Sequence, residues 1–433
     1  MTAAILNREA RSPANLERYA RLYADTGLPL ADLVRIEDPA FYVNPWPVYA
    51  RLQEEAPAYY YEPFNTWILT RHSDVQYAAR HPEIFSAERG ILLYDGVKHD
   101  SALSELFAGA GDMIGLTDPP RHGELRRIMQ PPFVPSGLAR LEERISQFCD
   151  SALDQIVPGE TVDWAGSVAS RLPALVIAAI LGIPADDDGF FARVRVWQDA
   201  TEELASKDQS PEERAATVAA FDSLNEFIAD MFEHKRHCPA EDFLSSLLSD
   251  HLDNQKLSQA NLIGFAQLLI AAGGDTTRSL LSETVAHLSM FPEQTAILRE
   301  DLSLVPNAIE EVLRFAPAAH GFARQAVQDA PLGGQVIKAG QRVWLAYEAA
   351  NRDPAVFENP QGFDIRRTAN RRNVTFGFGV HVCIAAPLVR METKILLEKL
   401  LTRFSRFAMS GQGRRAESFL RNGWTELPMV FYR

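Results

Sequence analysis

The segment Phe376-Gly377-Phe378-Gly379-Val380-His381-Val382-Cys383 places two glycines and a cysteine in one short loop. Glycine lets a backbone approach a flat object closely. The cysteine stands just before a helix expected from about Pro387, and a helix N-terminus with inward-pointing amides favours a thiolate. A thiolate on haem iron pushes electron density in the direction that favours O–O cleavage. The loop fits equally a buried, inert cysteine in a glycine-rich turn. A zinc site fits poorly, because His381 and Cys383 have no second pair at ligand spacing.

Three other groupings carry chemistry. Ala272-Gly273-Gly274-Asp275-Thr276-Thr277 falls in the middle of a long helical pattern. Each mid-helix glycine costs about 1 kcal/mol relative to alanine. A groove there can admit a small ligand such as oxygen, with Thr276 as hydrogen-bond donor and Asp275 feeding protons. A glycine kink with a threonine bonding back to the preceding turn is the plainer reading. Asp118-Pro119-Pro120-Arg121-His122 reads as a helix start with Asp118 as cap and proline at the first helical position. His122 and Arg126 then share one face, which suits a carboxylate ligand or simply a solvated basic surface. Glu311 and Arg314 stand three residues apart and can pair on a helix, a common surface arrangement worth under about 1 kcal/mol when exposed.

The elements that must position these groups are mostly helical. Short helices are expected over Trp46–Glu54 and Asp74–Arg80, the second stopped by His81-Pro82. Strands are expected near Ala58–Tyr61 and Trp67–Thr70, with Asn65 as turn chemistry between them. Residues 87–111 are irregular, and a loop that long inside a compact domain is often functional. Leu172–Leu181 ends at a Gly182-Ile183-Pro184 stop. Ser258 caps a helix running to about Met290, roughly 50 Å long at about 1.5 Å per residue. Strands follow at Gln335–Lys338 and Arg342–Leu345, then an amphipathic helix from Pro387 to Phe404. The pattern is α+β and mostly α.

Composition narrows the class. With 433 residues, 46% hydrophobic and 23% charged, the chain can bury a large core. No linker, low-complexity tract or repeat divides it, so one domain over 1–433 is expected, with 1–40 as a peripheral segment. A formal net charge of -14 argues against general nucleic-acid binding and against an anionic membrane surface. Three widely spaced cysteines, Cys149, Cys238 and Cys383, are not a disulfide framework. No basic and apolar leader opens the chain, and no run reaches a membrane span of about 18 residues, so a cytoplasmic location is expected.

Taken in order along the chain, these pieces resemble the cytochrome P450 family of the soluble bacterial type, from about residue 40 to the end. The cysteine loop resembles the family's Phe-x-x-Gly-x-x-x-Cys signature. Ala272 to Thr277 resembles the oxygen-activating segment of its long central helix. Glu311 and Arg314 resemble its Glu-x-x-Arg pair, with Arg367 as a third member. Asn351-Arg352-Asp353-Pro354 resembles a recurrent segment of bacterial members. One departure is Ala385, where the family usually has glycine two residues after the cysteine. The added methyl is expected to alter packing or the hydrogen bonds to the thiolate without preventing haem binding.

The resemblance implies a triangular helical prism with a long central helix and small β-sheets. It implies a haem b cofactor, with Cys383 as iron ligand and His122, Arg126, Arg324 and His381 holding its propionates. Phe376 and Gly377 would line the cofactor. Thr276 and Asp275 would manage protons while one atom of O2 enters an organic substrate. Coupling, nitration or peroxide-driven chemistry is the alternative within the family, and a haem sensor or carrier the alternative outside it. The substrate pocket would draw on Ile91, Leu92, Leu93, Tyr94, Ala272, Gly273, Phe322 and Leu420, a set that favours an apolar guest. His320 and Arg421 could supply a polar anchor. Electrons would come from a separate ferredoxin-type partner, drawn to Arg126, Arg127, Arg371, Arg372 and Arg390. A monomer is expected.

Overall fold

A computed structural model describes residues 27–38, 41–93, 113–183, 188–203, 210–249, 257–416, 418 and 420–433. Tyr94, most of the irregular 87–111 stretch, Pro184 and the first 26 residues lie outside the described residues. Among the described residues helix dominates and the strands are short. Contacts gather into two units that interleave along the sequence. The first comprises Met1–Leu93, Glu310–Val382 and Arg415–Gly423; the second comprises Tyr94–Ile309, Cys383–Arg414 and Trp424–Arg433.

The first unit is built on a five-stranded sheet. Its strands are β1 (Ala58–Tyr61), β2 (Thr66–Leu69), β3 (Phe85–Ser86), β4 (Gly321–Ala326) and β5 (Arg342–Ala346). They lie in the order β1-β2-β5-β4-β3. Asn65, at φ 46°, closes the hairpin between β1 and β2, a left-handed position that asparagine tolerates. β2 runs parallel to β5 and β4 antiparallel to it. A helix over His72–Arg80 follows β2 and stops at His81, where Pro82 disfavours another helical residue. Its Val75, Ala78 and Ala79 pack with Leu69, Phe85, Val343 and Leu345 in one apolar cluster.

Beside this sheet a charged node is sealed from water. Glu311 and Arg314 are fully buried. Arg314 Nε donates to Glu311 Oε2 at 2.8 Å and Nη2 donates to Oε1 at 2.7 Å. The remaining guanidinium donors meet the carbonyls of Asn351, Pro360 and Gly362. Arg367 Nε reaches both Glu311 oxygens at 3.2 Å. This is a closed hydrogen-bonded network rather than an exposed helix pair.

The second unit is organised by the helix Gln259–Met290, 32 residues long. Ser258 caps it by accepting from Asn261 N, while the Asn261 side chain bonds back to Ser258 N. Helices Arg171–Leu181, Asp188–Glu203 and Pro211–His237 pack against it. Helices Pro135–Asp154 and Ala386–Arg403 pack on each other, tied by Lys399 Nζ to both Asp150 oxygens at 2.8 Å. A three-stranded sheet holds Pro428–Tyr432 between Thr161–Asp163 and Arg406–Met409. The helix expected after Asp118 begins at Arg121, with Pro120 in the capping position and no side-chain cap. The Asp118 carbonyl accepts from His122 N at 3.0 Å, the bond that the residue ahead of a first helical turn makes.

Two outcomes follow for stability. Removing one partner of the sealed node leaves an uncompensated buried charge, at a cost of roughly 3–5 kcal/mol. Glu311→Ala or Arg314→Ala should therefore yield little folded protein; expression and a melting temperature close to wild type would show that the network carries no such charge. Glu392, on the Ala386–Arg403 helix, is buried and one carboxyl oxygen has no partner. Burial pushes its pKa from the ordinary 4.5 up to about 8. The folded state thus favours the protonated form. The contribution is greatest below about pH 4.5 and is lost as pH rises towards about 8. Glu392→Gln should raise the melting temperature relative to wild type by several degrees at pH 8 and barely change it near pH 5. Equal shifts at both pH values would contradict this.

Candidate active site

In the second unit, Cys383 sits one turn before the Ala386–Arg403 helix. Burial pushes its thiol pKa up. Against that, the N–H groups of Ala385 and Ala386 bond to the sulfur, and the guanidinium groups of Arg126 and Arg390 lower its pKa. Both amides belong to the helix start, where N–H groups lack intrahelical partners. Ala385 lies at φ -87°, an ordinary conformation for alanine. The backbone here therefore does not require the usual glycine, and the donor is kept. Arg126 is half-buried; loss of water lowers its pKa and the nearby Cys383 opposes that. His122, one turn earlier on the same helix, is buried.

On the long helix, every residue from Gly274 to Leu288 is buried except Thr276, which is exposed. The two threonines divide their work. Thr277 Oγ1 bonds back to Gly273 O at 2.8 Å, while Thr276 is exposed. Asp275 is buried beside Arg278, with Oδ1 and Nη1 3.3 Å apart. Arg278 Nη2 also donates to Trp424 O at 3.0 Å, which anchors the pair to the chain's last segment. Arg278 was not singled out from the sequence, although its spacing from Asp275 is that of a helical ion pair. Gly274 has a packing reason as well: a Cβ there would lie 1.7 Å from Gln198 Nε2, whose amide bonds Ile270 O at 3.2 Å. A Cβ on Gly273 would lie 3.3 Å from the Ile177 side chain. Ala272 is helical, and its side chain is outside the described set.

In the first unit, the segment before the cysteine turns through two left-handed glycines, Gly377 at φ 75° and Gly379 at φ 71°. A Cβ on Gly379 would meet Ala79 O at 2.4 Å, so this glycine admits the neighbouring helix rather than a ligand. The Arg80 guanidinium covers the Phe378 ring at 4.4 Å. Phe376, Gly377 and His381 are partly exposed, and Arg324 is buried on β4. Thr375 fixes the entry to the loop through its hydroxyl, which donates to Leu313 O at 2.6 Å.

The expected pocket residues of this unit are held on the sheet. Ala323 N donates to Ile91 O at 2.7 Å, and Arg342 reaches the carbonyls of Gly90, Leu92 and Leu93. Leu93 is buried in an apolar cluster with Ala323 and Trp344, against which Leu420 packs. Phe322 meets Tyr347 edge-on at 5.9 Å. His320 is buried against Glu348, an acid that no local pattern in the sequence flags. Among the described residues no helix is long and apolar enough to cross a membrane.

Comparison with known proteins bears directly on these arrangements. The family model for cytochrome P450 matches residues 206–420. Cytochrome P450 109 of Bacillus spizizenii is 32% identical over 404 residues, covering 92% of this chain and 91% of its own length. Linalool 8-monooxygenase of Pseudomonas putida is 31% identical over 404 residues, covering 91% of this chain and 98% of its own. The crystal structure of CYP109E1 from Bacillus megaterium in complex with testosterone matches with a TM-score of 0.80 at 28% identity, over 89% of this chain and 97% of that one. Similarity of that depth, sustained along about nine-tenths of both partners, together with an amide-bonded cysteine at a helix start, makes this chain a member of the cytochrome P450 family of haem-thiolate monooxygenases.

Proposed function

We propose that this enzyme inserts one oxygen atom from O2 into a small, largely apolar organic molecule, by C–H hydroxylation or epoxidation, with electrons from a separate ferredoxin-type protein. The observation that carries the reading is Cys383 with two backbone N–H donors and two nearby guanidinium groups. Such a donor set stabilises a negative sulfur and fits the family's haem b. When bound, haem supplies the reductive activation of dioxygen. The two units are read as one catalytic domain, supported by single relatives that match about nine-tenths of the chain.

The chain's own residues would do the rest. Cys383 Sγ is the iron ligand. His122 and Arg126 from the second unit, and Arg324 and His381 from the first, would neutralise carboxylates of the cofactor through charge-assisted bonds. Thr276 Oγ1, exposed on an otherwise buried stretch, would hand on a proton. Asp275 would replace that proton while Arg278 holds its carboxylate. The acid and alcohol side by side favour oxygen-driven chemistry over a peroxide-driven route. An apolar substrate is supported by Leu92, Phe322 and Leu420, and by the relative named for linalool and the structural neighbour crystallised with testosterone. Exposed Arg127, Arg371 and Arg372 offer positive charge to an acidic electron donor.

Two measurements test this. Reduced protein under carbon monoxide should show the absorption band typical of a thiolate ligand, and Cys383→Ser should lose it; a band unchanged in the variant would overturn the ligand assignment. Thr276→Ala should keep haem content but divert reducing equivalents into hydrogen peroxide, with coupling to product reduced severalfold. Equal coupling in variant and wild type would remove Thr276 from the proton route.

A further inference from the structure

Gln198 lies where a side chain of the long helix would otherwise be. It is buried on the helix Asp188–Glu203. Its Nε2 donates to Ile270 O at 3.2 Å. A Cβ on Gly274 would stand 1.7 Å from that nitrogen and 2.7 Å from Cδ, so the carboxamide rests against the bare Cα of the glycine. The platform behind it is fixed: the preceding residue, Trp197, is buried, and its ring meets that of Phe227 with centroids 5.1 Å apart. The neighbouring Gly273 is gripped as well, since a Cβ there would come within 3.3 Å of the Ile177 side chain. All of these residues belong to the second unit.

Packing does not account for the Gln198–Gly274 pair. A buried amide needs a hydrogen-bond partner, and a glycine inside a helix is costly relative to alanine. An apolar side chain in place of Gln198 and a methyl group on Gly274 would fill the same space with neither burden. What the pair supplies instead is a donor on a helical carbonyl. In a regular helix Ile270 O accepts from the N–H four residues on, that of Gly274. Gln198 brings a second donor to it from outside. Three residues later Gly273 O takes an extra donor too, Thr277 Oγ1 at 2.8 Å. Residues three apart share one side of a helix, and a side chain inserted into the ladder of helical bonds sets the local bend. Both loaded carbonyls lie in the turn that leads into Asp275 and Thr276.

We propose that Gln198 is a positioning residue for the proton route: its amide, lying in the notch left by Gly274 and bonded to Ile270 O, holds the helical turn from which Asp275 and Thr276 project. The inference rests on the roles given to Asp275 and Thr276 above and deepens them. Gln198 itself touches no reacting atom. It acts through the backbone, by fixing where the acid and the alcohol stand relative to one another.

Gln198→Met keeps the length of the side chain and removes the donor. Backbone hydrogen exchange of the holoprotein, followed by mass spectrometry, should then speed up about three- to tenfold over peptides spanning 271–279, with the rest of the long helix unchanged. With NADPH, a surrogate ferredoxin and reductase, and pentylbenzene as the probe, the share of electrons recovered as hydrogen peroxide should rise about twofold or more. Gln198→Glu separates positioning from packing, because its shape is that of glutamine. Protonated, it donates to Ile270 O; ionised, it sets a second acceptor against that carbonyl. Measured against wild type at the same pH, its exchange and peroxide share should match wild type near about pH 6 and approach those of Gln198→Met near about pH 9. A Gln198→Glu profile parallel to wild type at every pH overturns the proposal, and decides alone should Gln198→Met not fold. Unchanged exchange in Gln198→Met overturns it as well. So does faster exchange with an unchanged peroxide share, where Thr276→Ala raises that share. If neither Thr276→Ala nor Gln198→Met raises it, the proton-route reading fails and takes this inference with it.

Discussion

Two opposite charges sealed from water, on Glu311 and Arg314, constrain much of what surrounds the cysteine loop. An ion pair in that position gains little over apolar residues of similar size, because desolvation consumes most of the attraction. What it imposes is geometry. Every guanidinium donor must find an acceptor, so Arg314 gathers the carbonyls of Asn351, Pro360 and Gly362. Glu311 Oε1 also accepts from Asp364 N at 2.9 Å. From Asn351 the constraint passes outward: Nδ2 donates to Thr375 Oγ1 at 2.8 Å, and Oδ1 accepts from Val374 N at 2.7 Å. Thr375 closes the circuit on Leu313 O of the same helix. The loop that ends at Cys383 therefore starts from a point with almost no freedom, and its glycine turns operate from a fixed base.

The long helix meets several of its buried polar groups locally. Asp275 is held by Arg278, Thr277 bonds its own preceding turn, and Thr284 does likewise, with Oγ1 2.7 Å from Leu280 O. Trp164 donates its indole N–H to Leu281 O at 3.2 Å. Thr276 is the one exposed residue between Gly274 and Leu288.

How much of this was legible in the sequence depended on how local each interaction is. The cysteine loop, the Asp275-Thr276 pair, the Ser258 cap and the Glu311–Arg314 spacing each lie within a few residues, so side-chain chemistry and helical period expose them. The strand limits were right to within about a residue because alternation and Asn65 mark the hairpin. The sequence left the mid-helix glycines open between a ligand groove and a kink, and the structure adds a packing reason: Gly274 makes room for Gln198 and Gly379 for Ala79. Those partners are 76 and 300 positions away in the chain, and no periodicity announces them. Burial of Glu311 could not be read from its spacing, since the same spacing serves an exposed pair.

That division explains why reaction class and substrate are unequally visible. Holding iron and moving a proton require a few atoms at bonding distance, and a single loop or helical turn supplies them. A substrate wall requires only that side chains converge in space, and here they come from Leu92, Phe322 and Leu420 on separate stretches strapped together by backbone bonds such as Ala323 N to Ile91 O. Such a wall can change one residue at a time without disturbing the node under the cysteine loop, because the two share no side-chain bonds among those described. The buried His320–Glu348 contact joins residues 28 positions apart, and neither residue signals the other in sequence.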